Sequence, residues 1–163
     1  MVHHEYVDHL YQIFREWVLT PPSIRSVTTQ GLLSENYRFS TLSHGAFRFY
    51  AHQFYCESRK CVPKLIKRLL NNRSLAYWFM DDGSIKSKES KGIILNTQAY
   101  RKHEVEMLVN ILNSQFRLKA KTRKQKQGHQ IYISGKSYER FCSIVQPYII
   151  KGMQYKLPPA RRT

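Results

Sequence analysis

Two adjacent carboxylates at the end of an apolar run are the residues of this chain best suited to chemistry. Residues 74–83 read SLAYWFMDDG, with Asp81 and Asp82 directly before Gly83. The run contains no proline and predicts a short, mostly buried helix that ends with Gly83 in the left-handed conformation. Acids at a buried helix end need compensation. A lysine of the core, solvent, or a divalent metal with oxygen ligands could provide it.

The strongly basic composition indicates what such acids would act on. The chain of 163 residues has 27 Lys and Arg against 11 Asp and Glu, a formal net charge of +16 and a pI near 10.0. This balance favours a polyanion, most simply nucleic acid, over an acidic small molecule. No apolar run approaches membrane-spanning length, so we expect no membrane partner.

The cysteines predict no stabilising bridge. Cys56, Cys61 and Cys142 include no C-x-x-C pair. We therefore expect neither a disulfide framework nor a zinc site, and a reducing compartment is the default. The first residues lack the apolar core of a signal peptide, while a presequence already removed, or synthesis inside an organelle, stays open.

Helices and strands are predicted in an order that repeats. Before the acidic run, the patterns predict a helix over 3–18, strands over 24–30 and 36–42, and helices over 44–58 and 64–70. From it onwards, they predict a helix over 74–82, strands over 84–88 and 92–98, a helix over 101–116, strands over 118–126 and 129–134, and a helix over 137–149. We therefore expect an α+β fold with a complete αββαββα unit over residues 74–163 and a partial unit over 1–73.

The strand predicted over 118–126, after the helix over 101–116, is basic. By the two-residue period, Lys119, Lys121 and Arg123 share one face, and the next strand adds Gln130 and Tyr132. Lys and Arg hold phosphates, while Gln and Arg read base edges. The alternative is a solvated face that is basic by chance. The predicted nucleic-acid-binding residues are Lys119, Lys121, Arg123, Lys124, Lys126, Gln130, Tyr132 and, on an earlier strand, Arg38.

Residues 75–83, LAYWFMDDG, resemble the second motif of the LAGLIDADG homing endonucleases, and the αββαββα order resembles the half-unit of that family. Four further stretches are similar to single-chain, two-motif members found in mitochondrial group I introns. They are WVLTPP at 17–22, KCVP at 60–63, ILNTQ at 94–98 and YKLP at 155–158. Together these stretches span residues 17–158, which is nearly the whole length of the chain.

The resemblance implies two pseudo-symmetric halves whose motif helices pack side by side, with two sheets forming a saddle over DNA. It assigns Asp82 as the acid that reaches the catalytic metals, Asp81 as its neighbour in the motif, and Lys60 and Lys156 as basic residues near them. The implied reaction is Mg²⁺-dependent phosphodiester hydrolysis. The implied location is a mitochondrion or a chloroplast.

The sequence departs from the family pattern because it shows no first motif. The motif helix would then need another cover, and Leu75, Ala76, Tyr77, Trp78 and Phe79 are the predicted interface residues. A second copy of the chain, a separate polypeptide carrying a first motif, or RNA and other proteins could provide that cover. We also expect a partner to hold the basic tail over residues 158–163.

These observations lead to three hypotheses. The first is a nucleic-acid-binding relative of the family that is catalytically incomplete as a single chain, requires no Mg²⁺ and is retained as an RNA-binding or ribonucleoprotein component in an organelle. The second is a Mg²⁺-dependent, site-specific DNA endonuclease completed by a second chain or by homodimerisation. The third is a structural assembly protein whose basic faces neutralise RNA phosphates.

Overall fold

The chain forms two compact units, Met1–Arg48 and Phe49–Thr163. They are seen in a computed structural model that describes residues 3–29, 32–87 and 90–157. The basic tail over residues 158–163, expected to be held by a partner, lies outside the described residues. The boundary expected between residues 73 and 74 concerns the repeated unit and stays a prediction.

The first unit contains a helix and a β-hairpin. Helix α1 (His4–Phe14) runs into a 3₁₀ turn (Arg15–Trp17), and strands β1 (Ser23–Thr29) and β2 (Leu32–Arg38) pair antiparallel. The Tyr37 hydroxyl donates to Asp8 Oδ1 at 2.6 Å, and the Tyr37 ring stacks on His4 at 4.3 Å. These contacts fix the hairpin against α1. Strand β2 occupies 32–38 rather than the predicted 36–42.

Helix α2 (Gly45–Phe54) ends four residues before the predicted end at 58 because a tight hairpin follows it. Strands β3 (Tyr55–Cys56) and β4 (Arg59–Lys60) form this hairpin, with Glu57 at a positive φ of 57°. It brings the Cα atoms of Cys56 and Cys61 within 5.8 Å, and the two residues form a disulfide. The prediction of no disulfide was therefore wrong, because the spacing gave no sign that a turn would juxtapose the two thiols.

The second unit follows the predicted αββαββα order. After the short helix α3 (Ile66–Leu69) come the motif helix α4 (Asn72–Asp82), β5 (Gly83–Ile85), β6 (Ile93–Leu95), α5 (Lys102–Phe116), β7 (Ala120–Gln125), β8 (Gly128–Ile133) and α6 (Tyr138–Val145). The four strands form one antiparallel sheet in the order β5-β6-β8-β7. A 3₁₀ segment, Lys151–Lys156, follows α6.

One face of this sheet builds the core of the second unit. Ile93, Leu95, Ile131 and Ile133 are fully buried, and α5 packs on β7 and β8. Since side chains alternate along a strand, Ile94 and Tyr132, which lie between these core residues, point to the opposite face. On that opposite face Lys121 and Arg123 are exposed, and Gln130 and Tyr132 are partly exposed. Within the described ranges, no helix is long and apolar enough to cross a membrane.

Candidate nucleic-acid interface and acid site

The motif helix α4 begins at a reciprocal cap. Asn71 Oδ1 accepts a hydrogen bond from the Ser74 amide at 2.9 Å, and Ser74 Oγ accepts one from the Asn71 amide at 2.8 Å. Such a capping box satisfies two amides that a helix N-terminus leaves unpaired. The start of α4 is thus fixed by the sequence NNRS at residues 71–74, three residues before the apolar motif.

Three of the five predicted interface residues belong to the core of this chain. Leu75, Ala76 and Phe79 are fully buried, and the Phe79 ring meets Phe141 of α6 edge to face at 5.1 Å. The interface prediction needs correction for these three, because α6 and the sheet already cover that side of the helix. Tyr77 and Trp78 are half-buried. Together with the exposed Asp81, they form the outward side of α4.

Gly83 ends the helix for a steric reason. Its backbone is extended, with φ −86° and ψ 149°, so the predicted left-handed conformation is wrong. A Cβ atom at this position would overlap the Phe79 ring and would lie 2.5 Å from the Phe79 carbonyl oxygen. Glycine therefore allows the chain to leave α4 and enter β5 directly beneath a core aromatic ring.

The exposed carboxylates of Asp81 and Asp82 lie at the C-terminal end of α4, close to Lys156 of the last 3₁₀ segment. The Lys156 ammonium donates to the Met80 carbonyl oxygen and lies 3.4 Å from that of Asp81. Burial lowers the pKa of Lys156, and the charges of Asp81 and Asp82 oppose this effect. Three residues that the resemblance placed in one site are thus adjacent in the structure.

The acid pair offers oxygen ligands of the kind that Mg²⁺ prefers. Mg²⁺ is usually bound by one or two protein carboxylates, with water and substrate phosphate completing the octahedron. Asp81 and Asp82 match that donor set. Across residues 3–29, 32–87 and 90–157, no cluster of three or more His, Cys, Asp or Glu could hold a metal by itself. From this chain, the acid pair therefore supplies at most two carboxylate ligands for such an ion.

Lys60 is exposed on β4, opposite Tyr55 in the hairpin. Its expected role beside a metal stays a prediction.

Tyr100, which no sequence pattern indicated, lies near the acids. Burial raises the pKa of Tyr100, and the nearby carboxylates of Asp82 and Glu104 raise it further. Tyr100, Trp78 and Asp81 line a mainly apolar cavity of about 300 Å³ together with Phe54, Val62, Pro63, Ile66, Leu69, Leu70, Ser74 and Leu108. The phenol is therefore kept neutral beside the acid end of α4.

Glu104 was also missed, although its place in the first turn of a predicted helix was a signal. Its carboxylate accepts hydrogen bonds from Arg59 Nη1 at 2.9 Å, from the Val62 amide at 3.0 Å and from the Arg101 amide at 2.7 Å. Burial alone would raise the pKa of Glu104, but these donors hold it below its ordinary value. Glu104 thus joins the β3–β4 hairpin to the start of α5.

The strand register places the predicted binding residues on one face of the sheet. Lys121 pairs with Tyr132 and Arg123 with Gln130, while Ala120 and Thr122 pair with the buried Ile133 and Ile131. Lys121, Arg123, Gln130 and Tyr132 therefore point away from the core, as the two-residue period predicted. We call this set, with Lys119 just before β7, the basic face.

Tyr132 lies at the centre of the basic face between two ammonium groups. Lys121 Nζ is 5.6 Å and Lys86 Nζ is 5.8 Å from the centre of its ring. Gly92 leaves room for the ring, since a Cβ there would lie 2.7 Å from Tyr132 Cε2. Lys86 was not among the predicted residues, and only the pairing of β5 with β6 could have indicated it.

The remaining predicted binding residues lie elsewhere. Lys124 pairs with His129 and has the parity of the core-facing residues, although it is exposed at the far end of β7. Lys126 lies in the β7–β8 turn. Arg38 ends β2 of the first unit, where it pairs with Ser23 and is exposed. The alternation therefore separates Lys124 from the basic face.

Comparison with known proteins identifies the class to which this fold and site belong. The model of the LAGLIDADG DNA endonuclease family matches residues 1–141. The chain is 38% identical over 158 residues to "Probable intron-encoded endonuclease 1" of Wickerhamomyces canadensis, which covers 93% of this chain and 68% of that protein. It is 27% identical to "Cytochrome b mRNA maturase bI2" of Debaryomyces hansenii, over 95% of this chain and 60% of that protein.

A solved structure gives the same result for the fold. "The homing endonuclease I-WcaI bound to its DNA recognition sequence" superposes with a TM-score of 0.89 and 36% identity, over 94% of this chain and 70% of the other. The chain belongs to the LAGLIDADG DNA endonuclease family. The names of its relatives include both "Probable intron-encoded DNA endonuclease 3" of Mycosarcoma maydis and the mRNA maturase.

Proposed function

We propose that this protein binds nucleic acid through the basic face and serves as an RNA-binding or ribonucleoprotein component that does not cleave on its own. The observation that carries the proposal is the strand register, which aligns Lys121, Arg123, Gln130 and Tyr132 on the uncovered side of the sheet. Cationic side chains contact phosphates, while an amide and an aromatic ring suit bases. A net charge of +16 supports the same class of partner.

The proposed lack of cleavage rests on the composition of the acid site. In this family the resemblance implies one metal-facing acid from each of two motifs, and in the described residues Asp82 is the acid of one such motif. One carboxylate pair can share a metal with phosphate but leaves the second motif's contribution unsupplied. Maturase relatives support use of the fold on RNA.

The test uses the purified full chain with two probes, a randomised RNA pool and a randomised duplex DNA pool, each with Mg²⁺. We expect salt-sensitive retention of RNA and no cleavage product from either pool. Lys121→Ala with Arg123→Ala should weaken retention. Mg²⁺-dependent cleavage of duplex DNA by the chain alone, abolished by Asp82→Asn, would overturn the proposal.

A second candidate is DNA cleavage after a second chain supplies an acidic motif. The proximity of Asp81, Asp82 and Lys156 favours it, because carboxylates repel phosphates unless a metal ion lies between them. A bound Mg²⁺ would supply Lewis acidity and lower the pKa of water. Asp81 and Asp82 would hold that ion against the phosphate, and Lys156 would place its positive charge near the developing anionic oxygen.

This candidate is tested by adding a separately produced LAGLIDADG half that carries a first motif. Cleavage of duplex DNA should then appear only in the mixture. Lys156→Met should reduce the cleavage rate by about 10²-fold or more if its charge stabilises the transition state. Lys151→Met, an exposed lysine of the same 3₁₀ segment, is the matched control. Lack of cleavage in every mixture would leave RNA binding as the function.

The proposed location is a mitochondrion or chloroplast. Relatives named as intron-encoded endonucleases and cytochrome b mRNA maturases support it, and another relative is named as chloroplastic. Detection of the native protein with a specific antibody in purified organelles would test the location, and recovery of the protein only in the fraction outside them would contradict it.

A further inference from the structure

An amide chain crosses the sheet next to the acid end of the motif helix. Gln130 Nε2 on β8 donates to Asn96 Oδ1 at 2.8 Å, and Gln98 Nε2 donates to the same oxygen at 3.4 Å. The backbone N–H of Asn96 donates to the backbone carbonyl oxygen of Asp82 at 3.1 Å. We call the side chains of Asn96, Gln98 and Gln130 the amide relay. It extends from the backbone at the end of α4 to the basic face.

The relay fixes which hydrogen-bonding groups Gln130 presents. A glutamine amide has one acceptor oxygen and two donor hydrogens. Because one Nε2 hydrogen is directed to Asn96, the other hydrogen and Oε1 remain for a ligand. In the part of the chain that the structure describes, no other protein group bonds to this amide. The side chain is half-exposed, so these groups are accessible.

One acceptor and one donor on a planar amide match the edge of adenine. Oε1 can accept from the N6 amino group while the N–H cis to Oε1 donates to N7, which is the bidentate pairing of Gln with adenine. In this arrangement the bond to Asn96 uses the hydrogen trans to Oε1. Asn96 holds the amide in this orientation before the ligand arrives, and this reduces the ordering cost of binding. Arg123, directly opposite Gln130 on β7, is placed to contact the adjoining phosphate.

We propose that Gln130 reads an adenine at the position next to the acid site and that Asn96 is its positioning residue. The inference rests on the proposed nucleic-acid binding and adds the base that is recognised. The N7 and N6 edge of adenine is available in the major groove of duplex DNA and on an unpaired RNA base. The two sources present the same chemistry to the relay.

The experiment selects sites from the randomised duplex DNA and RNA pools with the full wild-type chain, Gln130→Ala and Asn96→Ala. In the DNA pool, the RNA pool or both, the sequences that the wild type enriches should carry adenine at one fixed position. Both variants should lose about 5- to 150-fold discrimination there, as expected for one bidentate contact. The double variant should lose no more than Gln130→Ala, since Asn96 acts through Gln130.

Gln130→Glu tests recognition directly, because a residue with a purely structural role would not change which base is selected. A carboxylate only accepts hydrogen bonds and pairs with the amino group of cytosine, so the preference should change from adenine to cytosine at that position. Asn110→Ala removes an exposed amide from α5, on the other side of the sheet, and is the matched control. It should select the wild-type site.

The outcomes separate this inference from the proposed function. A wild-type site that is unchanged in Gln130→Ala and Gln130→Glu would overturn the adenine reading and leave nucleic-acid binding intact. Retention of a pool without enrichment of any sequence would likewise overturn the adenine reading alone, whereas failure of the wild type to retain either pool would overturn both. Selection from DNA alone or RNA alone identifies the source of the adenine. Equal thermal unfolding of the variants and wild type ensures that a changed preference reflects recognition.

Discussion

A single buried carboxylate, that of Glu104, holds two segments of the second unit together. It accepts from the guanidinium of Arg59 in the β3–β4 hairpin and from the backbone amide of Arg101 at the start of α5. The side chain of Glu104 is 6% exposed, whereas that of Arg59 is 35% exposed. The carboxylate of this ion pair is therefore shielded from solvent more than the guanidinium is. Its loss would leave buried donors without an acceptor.

Glu104→Gln should lower the free energy of unfolding by about 1–3 kcal/mol, as expected when a buried charged hydrogen bond is lost. Chemical denaturation at neutral pH measures this change. Glu106→Gln is the matched control, because Glu106 is exposed and 3.6 Å from Lys102. A surface pair of this kind contributes little, so the control should change stability by about 0.5 kcal/mol or less. Equal effects would contradict the assignment.

The stability that Glu104 contributes should depend on pH. The pKa of Glu104 in the folded chain lies below its ordinary value of 4.5. A carboxyl with a lowered folded pKa stabilises the fold above its unfolded pKa, and this contribution is lost as the pH falls through the folded pKa. Below pH 4.5, wild type and Glu104→Gln should therefore converge in stability. Parallel curves down to acid unfolding would contradict this expectation.

At the scale of elements, the junction between α4 and β5 depends on the absence of one methyl group. Gly83→Ala should lower the free energy of unfolding by about 1–3 kcal/mol because the added Cβ overlaps the Phe79 ring. Gly45→Ala is the control, since a Cβ at the start of α2 meets nothing within 4 Å. It should be neutral or slightly stabilising by helix propensity. Denaturation of both variants measures the difference.

Strand β7 offers neighbouring residues for testing the binding face. Arg123→Ala should weaken nucleic-acid binding and reduce the salt slope of log K by about 1, as expected for one lost phosphate contact. Lys124→Ala removes the same charge from the next residue, which has the opposite parity in the strand. It should change the slope less. Indistinguishable slopes would show that net charge, rather than the basic face, governs binding.

The order of the elements was predictable, but several boundaries and contacts were not. Alternation in residues 118–134 predicted the basic face because the pleat alone determines it. The position of β2 depends on pairing Ser23 with Arg38, and this register is not encoded by local periodicity. The Cys56–Cys61 disulfide, the role of Gly83 and the bonds of Glu104 likewise require tertiary proximity. These features are therefore determined by tertiary packing and not by local sequence patterns.

At the scale of the whole molecule, buried apolar material is unevenly divided between the units. Of the buried hydrophobic residues in the described ranges, Tyr6 belongs to Met1–Arg48 and all the others belong to Phe49–Thr163. Apolar burial provides most of the favourable free energy of folding. The two units should therefore differ in local stability even though they belong to one chain.

Hydrogen exchange read by mass spectrometry of the full chain measures this difference. Amides of β1 and β2 should exchange faster than those of α5 and β8, because segments with little buried apolar surface open locally at low free energy. Tyr6→Ala should increase exchange in the first unit and leave β8 unchanged. Uniform protection across both units would instead indicate one cooperative structure.

The position of the acid pair at the end of α4 has an energetic consequence. The C-terminal end of a helix carries about half a negative charge, so Asp81 and Asp82 add like charge to an already negative pole. Lys156 relieves only part of this repulsion through its hydrogen bond to the Met80 carbonyl. We therefore expect the folded state to bind cations at this end of α4, so Mg²⁺ should raise the unfolding temperature even where no phosphodiester bond is cut. Asp82→Asn should remove most of that shift, which makes calorimetry a direct measure of metal binding by a single motif.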